Sequence, residues 1–342
     1  MRSTWGRLKG LSVVTLPIMR RSLTARLFGT VQLTRLAMAV GAVGDVWFTV
    51  LFTRESGMYP YLSVTKMPLW VALGLSAIIA TGLFTFGASL NDLLDARHDS
   101  TFSPDKPIPS GRIRPGTAGI LITSALLAAL IAALPFGTWA LAFALMVALG
   151  ILFYNVAGKH VPAIGVVAIG LVSAMHMLIP NYELTFTFPV WLTMTHAMVI
   201  SLSVHLIGRK RPTLSRRSFT IIGVAYLTWS VIILMTGWYQ GHEIGWWPLS
   251  SWSGIMWPIL AVASFIWISR IKIARGEPRQ ATEKLTRYGA MWQSLYAASW
   301  LLAAGMYGAA MLLLGLAFTG FLAMTTMKEL GGLAAHPPRY KV

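Results

Sequence analysis

Apolar runs of roughly 18 to 25 residues recur along most of this chain, and each is long enough to cross a hydrocarbon core of about 30 Å as a helix. Backbone N–H and C=O groups find no water in that setting, so each segment must satisfy its own hydrogen bonds, as a helix does. The runs predict helices over residues 30–53, 68–90, 116–134, 137–155, 162–180, 188–207, 218–237, 252–270 and 290–318. Of 342 residues, 56% are hydrophobic and only 11% charged, which excludes an ordinary soluble domain. The expected fold is an all-α polytopic membrane protein with about nine transmembrane helices.

The charges say how such a bundle sits. Lys and Arg number 28 against 11 Asp and Glu, a formal net charge of +17. In a soluble domain that excess would point to nucleic acid. Here the bases lie between apolar runs, where membrane lipids and topology account for them, and no nucleic-acid partner is expected. With nine spans, 22 of the 28 fall on the N-terminal segment and on the loops after the second, fourth, sixth and eighth spans. The positive-inside rule places these in the cytoplasm, and an odd count puts the C-terminus on the opposite side. Residues 1–27, where Arg20 and Arg21 directly follow the short apolar run from Leu11 to Met19, read as a basic, cytoplasmic amphipathic segment rather than a cleaved signal. Residues 28–320 form the transmembrane domain and 321–342 a short non-cytoplasmic tail. The absence of cysteine excludes disulfides and thiolate chemistry.

Four of the eleven acids lie between positions 92 and 105, where Asn91-Asp92-Leu93-Leu94-Asp95-Ala96-Arg97-His98-Asp99 runs out of the second span. If that helix continues, Asn91, Asp95 and Asp99 recur every fourth residue and present their oxygens on one face, with Asp92 one step round. Such a face suits Mg²⁺, which takes oxygen ligands, commonly one or two carboxylates, and leaves the rest of its shell to water and substrate phosphates. The plainer reading is a solvated helix end pairing with Arg97, Lys106 and Arg112. The next residues favour the first. In Lys106-Pro107-Ile108-Pro109-Ser110-Gly111-Arg112 two prolines fix φ and a glycine is free to turn, so two cations are held near the acids. Cations beside a carboxylate-bound metal make a clamp for a diphosphate.

These two stretches together resemble the first signature of the UbiA superfamily of intramembrane prenyltransferases, over roughly residues 30–318. The resemblance implies a UbiA-like bundle with cytoplasmic loops over a central cavity. It implies Mg²⁺ on Asn91, Asp92, Asp95 and Asp99, with Asp92, Asp95, Lys106 and Arg112 catalytic. The diphosphate would be bound by Asn91, Lys106 and Arg112, joined by Tyr154 and Lys159, which are similar to the family's Tyr-x-x-x-Lys element but stand one residue further apart. The implied reaction moves an isoprenyl group from an isoprenyl diphosphate to an aromatic or lipid acceptor within the membrane.

One departure from the family pattern bears on mechanism. The family carries a second Asp-rich motif after its sixth helix, for a second Mg²⁺. Here that place reads Ser201-Leu202-Ser203-Val204-His205-Leu206-Ile207-Gly208-Arg209-Lys210-Arg211-Pro212-Thr213, with Ile200 and Val204 at the spacings expected of the aspartates and no acid between Glu183 and Glu243. One metal site is therefore expected rather than two. Arg209, Lys210 and Arg211 can carry the leaving diphosphate's charge instead, although positive-inside topology also accounts for the triplet. The alternative is an inactive UbiA-like subunit that binds a prenyl lipid or quinone, or packs with protein partners in a larger membrane complex. A transporter would need charged or broken helices at mid-membrane depth, and only Asp45 answers to that.

Asp45 lies inside the first span, so it should face a polar cavity or pair, with Arg35 as the candidate partner. His176, His196 and His205 share no metal-ligand spacing and read as satisfied interior histidines. Trp238, Tyr239, Trp246, Trp247 and Trp252 read as an aromatic belt at the outer membrane surface. Asn181 and Glu183 follow the fifth span, far from the acids, and carry no assigned role.

Overall fold

The computed structural model describes residues 30, 35 and 38–335, except 243–244, 250–251 and 275–276. The predicted amphipathic segment and residues 336–342 lie outside the described residues. Ten helices of 16 residues or more follow one another: α1 (Val40–Glu55), α2 (Leu69–Leu94), α3 (Pro115–Ala133), α4 (Thr138–Val156), α5 (Pro162–Met177), α6 (Phe188–Ile207), α7 (Arg216–Gln240), α8 (Met256–Ile273), α9 (Pro278–Ala303) and α10 (Tyr307–Ala335). No strand occurs among the described residues. Seven helices, α2, α3, α4, α6, α7, α8 and α10, are long and apolar enough to cross a membrane. Prolines open α3, α5, α6 and α9 within their first two positions, where the missing N–H costs no helical bond.

The ninth predicted span, 290–318, is not one helix. The chain turns at Ala304–Met306, with Gly305 at φ +76°, and α9 and α10 pack back on each other. The Gly305 N–H donates to the Leu302 carbonyl and the Met306 N–H to that of Leu301, which is the paired closure that ends a helix on a left-handed glycine. An unbroken apolar pattern hid this stop. The helix then continues to Ala335, through the expected tail boundary at 320.

Six helices close a ring: α1 packs on α2, α2 on α4, α4 on α5, α5 on α6, α6 on α9, and α9 back on α1. The other four, α3, α7, α8 and α10, lie outside it. Close approach within the ring depends on glycine. A Cβ on Gly41 would stand 1.7 Å from the Ala290 carbonyl oxygen, and one on Gly44 2.5 Å from Ser294 Oγ, so α1 and α9 touch backbone to backbone.

The loops sort to two ends of the ring. At one end the α1–α2, α5–α6 and α7–α8 connections meet: Tyr59 Oη lies 3.0 Å from Thr185 Oγ1, which donates to the Gly245 carbonyl at 2.9 Å. There Arg54 donates to the carbonyls of Val64, Thr65 and Met67, so this basic residue is spent on backbone. Of the predicted belt, Trp238, Tyr239 and Trp252 are exposed, whereas Trp246 and Trp247 pack on Phe188 inside an aromatic cluster reaching Trp300. At the opposite end Arg279, opening α9, reaches Ser103 in the α2–α3 connection at 3.3 Å. The acid-rich loop lies at this second end.

Candidate functional site

The ring encloses a cavity of about 540 Å³, lined from all six of its helices. Its walls are mostly hydrocarbon, including Leu83, Phe84, Val147, Ile151 and Val166. At the end where the acid-rich loop lies, its mouth is lined by Arg35, Asn91, Tyr154, Lys159 and Lys210.

The helix bearing the acids does not run straight through them. α2 stops at Leu94, Asp95 takes φ −85° and ψ −1°, and a separate short helix covers Ala96–Phe102. The single oxygen face expected from a continuous helix is therefore divided in two. Asn91 and Asp95 meet at one cation: Lys159 Nζ lies 3.2 Å from Asn91 Oδ1 and 2.6 Å from Asp95 Oδ1. Asp92 and Asp99 meet at another: Lys106 Nζ lies 3.3 Å from Asp92 Oδ1 and 2.7 Å from Asp99 Oδ2, both carboxylates being buried. Arg35 completes this second group with a 2.9 Å ion pair to Asp92.

Lys159 reaches its acids because the chain leaves α4 through a short 3-10 turn, Gly158–His160. That turn takes up the extra residue between Tyr154 and Lys159, and both side chains still line the cavity. On the opposite wall, Ile200, Ser201, Val204 and His205 of α6 face the cavity, so hydrocarbon stands where the sequence pattern placed the missing aspartates. Of the basic triplet, Lys210 alone lines the cavity. Partial burial lowers its pKa from the ordinary lysine value, with the charge of Asp95 acting in the other direction. All three side chains reach solvent, but Arg209 and Arg211 lie outside the lining. Arg112 bonds Ser110 Oγ at 3.0 Å and the Asp105 carbonyl, both within its own loop.

Two expectations about interior polar residues change. Arg35 pairs with Asp92 and not with Asp45, which hydrogen-bonds Thr193 instead. His196 is satisfied, with Nε2 2.9 Å from the Gly289 carbonyl, and His205 Nε2 lies 3.0 Å from that of Pro212. His176 is not, for its buried Nε2 meets no partner. Sequence reasoning gave Arg35 no place in the site. Its signal was an arginine inside an apolar run, a costly position unless a buried acid awaits it.

A ring of membrane helices around a hydrocarbon-walled cavity with cations at one mouth defines an intramembrane protein with an amphiphilic interior. The chain belongs to the UbiA prenyltransferase family, whose family model matches residues 57–295. The fold agrees with a solved digeranylgeranylglyceryl phosphate synthase structure, which superposes with a TM-score of 0.51 at 15% identity over 82% of this chain and 98% of that one. A UbiA homologue from Archaeoglobus fulgidus bound to GPP and Mg²⁺ aligns at 12% identity with a TM-score of 0.43, over 85% of this chain and 99% of that one. The same homologue bound to DMAPP and Mg²⁺ gives 12% and 0.43 over 85% and 98%. No curated protein sequence matches the chain.

The donor set fits one divalent cation. Asn91 Oδ1 and Asp95 Oδ1 converge on a single cationic atom beside the cavity mouth, and Mg²⁺ commonly needs no more than one or two carboxylates when substrate phosphates complete its shell. Asp92 and Asp99 are held instead by Lys106 and Arg35. Among the described residues no three acidic, histidine or cysteine side chains gather as a metal cluster, so an ion there would depend on substrate oxygens and water for most of its shell.

Proposed function

We propose that this protein is a UbiA-type prenyltransferase that binds an isoprenyl diphosphate at the cation-lined mouth and passes the isoprenyl group to an aromatic or lipid acceptor within the membrane. The observation that carries this reading is the convergence of Lys159, Lys210, Arg35, Asn91 and Tyr154 on the mouth of a hydrocarbon-walled cavity. Diphosphate oxygens suit the cations, and an isoprenyl tail suits the walls below. The barrier is loss of the diphosphate, so the groups that matter are those aimed at its growing negative charge. Lys159 and Lys210 supply charge-assisted hydrogen bonds there. Mg²⁺ held by Asn91 and Asp95 would neutralise further diphosphate charge. Lys106 and Arg35 fix the buried Asp92 and Asp99 and so hold the loop in place. The hydrocarbon walls keep water from the allylic carbon once the diphosphate departs. The basic end faces the cytoplasm by the positive-inside rule, which is where a soluble diphosphate would enter.

A second reading has its own observation. Ile200 and Val204 leave the α6 wall without the acids of a two-metal site, which suits a UbiA-like subunit that binds a prenyl lipid or quinone, or packs within a membrane complex, without catalysis. Equilibrium binding of a geranylgeranyl diphosphate analogue to purified protein, with and without Mg²⁺, separates the two. Tight binding that Asp95→Asn and Lys159→Met each weaken at least tenfold supports the transferase. Binding that is absent, or indifferent to both substitutions, overturns it in favour of the scaffold.

A further inference from the structure

The face of α9 turned away from the central cavity carries a second hollow. Gly289, Ala290 and Gln293 line the cavity, whereas Met291, Trp292 and Leu295 on the other side of the same turns floor a groove of about 420 Å³. Its banks are α8 and α10, which both pack on α9 and lie outside the ring. The groove runs along α9 from Tyr288 to Leu295 and along α10 from Phe321 to Leu314, about 10 Å in each case at 1.5 Å per residue. It starts near the end where Arg279 meets the acid-rich loop, and 10 Å is less than half of a hydrocarbon core of about 30 Å. The groove therefore lies within one leaflet.

Its polarity is one-sided. Met291, Leu295, Leu314, Phe318 and Phe321 give it hydrocarbon walls, and the Trp292 N–H is already spent on the Ala261 carbonyl at 2.9 Å. Polar atoms enter only at the end nearest the acid-rich loop, from Lys272 in the last turn of α8 and from Tyr288. Lys284, one turn before Tyr288 on α9, adds a second ammonium there, with Nζ 3.5 Å from the Lys272 carbonyl. Among the described residues neither lysine makes an ion pair, and Glu283, the nearest acid in sequence to Lys284, is shared by Arg279 and Arg287.

Two uncompensated ammonium groups and a hydroxyl above a hydrocarbon trough match a lipid whose head carries net negative charge. We propose that this groove binds an anionic phospholipid, with its phosphate at Lys272 and Lys284 and an acyl chain lying between α8 and α10. The positive-inside rule makes this the cytoplasmic leaflet, whose anionic lipids attract lysines at the membrane surface. A zwitterionic lipid gains less, because its own ammonium stands against the same two cations. A second copy of the chain fits worse, since helices that pack in membranes bring small residues together and Ala317 alone is small among the lining residues. The site is separate from the diphosphate mouth and does not depend on the transferase reading.

The test mixes delipidated full-length protein in detergent with phosphatidylglycerol or phosphatidylcholine of the same chains, and native mass spectrometry counts the bound lipid. The expected result is one phosphatidylglycerol held about tenfold more strongly than phosphatidylcholine, a preference that Lys272→Gln with Lys284→Gln reduces to about twofold or less. Lys159→Met should leave the preference in place, because that ammonium serves the central cavity. Ala317→Trp, which fills the trough, should remove bound lipid of either kind. Equal binding of the two lipids, a preference that survives the double substitution, or displacement of phosphatidylglycerol by the geranylgeranyl diphosphate analogue overturns the proposal. A dimer that Ala317→Trp dissociates also overturns it and gives the groove to a second copy.

Discussion

Lys159 Nζ lies 2.6 Å from Asp95 Oδ1, although the two residues are 64 positions apart and belong to different helices' ends. The contact joins the α2 end to the turn after α4, and with Asn91 it places one ammonium and two oxygens at the cavity mouth. If this is where a diphosphate is held, Lys159→Met should weaken diphosphate binding at least tenfold, and Lys159→Arg should restore part of it because the charge returns with a different shape. Titration calorimetry with the diphosphate analogue reads both; equal affinity in all three proteins would remove Lys159 from the site.

Lys106 has a different part, bridging two buried carboxylates. Lys106→Met should lower stability by about 2 kcal/mol, below the usual cost of breaking a buried ion pair because Lys106 is itself partly exposed and Asp92 keeps Arg35. Adding Asp99→Asn should recover much of the loss, since the neutral amide no longer needs the ammonium. Thermal melting in detergent measures both variants, and additive losses would show that the bridge carries no coupling.

The α1–α9 contact is sensitive to a single methyl group. Gly41→Ala places a Cβ against the Ala290 backbone, where no side-chain rotation relieves it, and should cost about 3 kcal/mol. Gly74→Ala on α2 meets nothing within 4 Å and should be neutral or slightly stabilising. Melting temperatures that fall equally for both would deny the close approach.

Lys210 gives the site a pH dependence. Its pKa lies below the ordinary lysine value, so as pH rises it loses its proton before an exposed lysine would. Diphosphate binding that uses this charge is complete on the acid side of that pKa and declines as pH climbs through it. The decline should disappear in Lys210→Arg, whose guanidinium stays charged over the whole range. An alkaline limb of the same position in both proteins would assign it to another group.

The break at Gly305 predicts topology. With α9 and α10 as an antiparallel hairpin, the far end of α10 returns to the side from which α9 starts. The chain has no native cysteine, so single cysteines report cleanly. Met327→Cys and Arg279→Cys should react with an impermeant maleimide from one side of a sealed vesicle, and Lys66→Cys from the other. Labelling of positions 327 and 279 from opposite sides would restore the odd count expected from apolar runs.

Much of this molecule could be read before any coordinates. Eight of the nine apolar runs overlap a described helix over most of their length, because a bilayer admits few alternatives to a self-bonded helix. The acid cluster and its basic partner loop were equally visible, since residue type and spacing are local properties. What the tertiary structure decided was who meets whom. A turn of backbone at Asp95 parted four side chains into two pairs, and Lys159 and Lys106 claimed one pair each, from 64 to 68 and from 7 to 14 positions away. Arg35 passed over Asp45 for Asp92, leaving Asp45 with Thr193. Helical period assigns a side chain to a face, but which face of another helix lies opposite depends on the close packing of the whole ring, and no local signal encodes that.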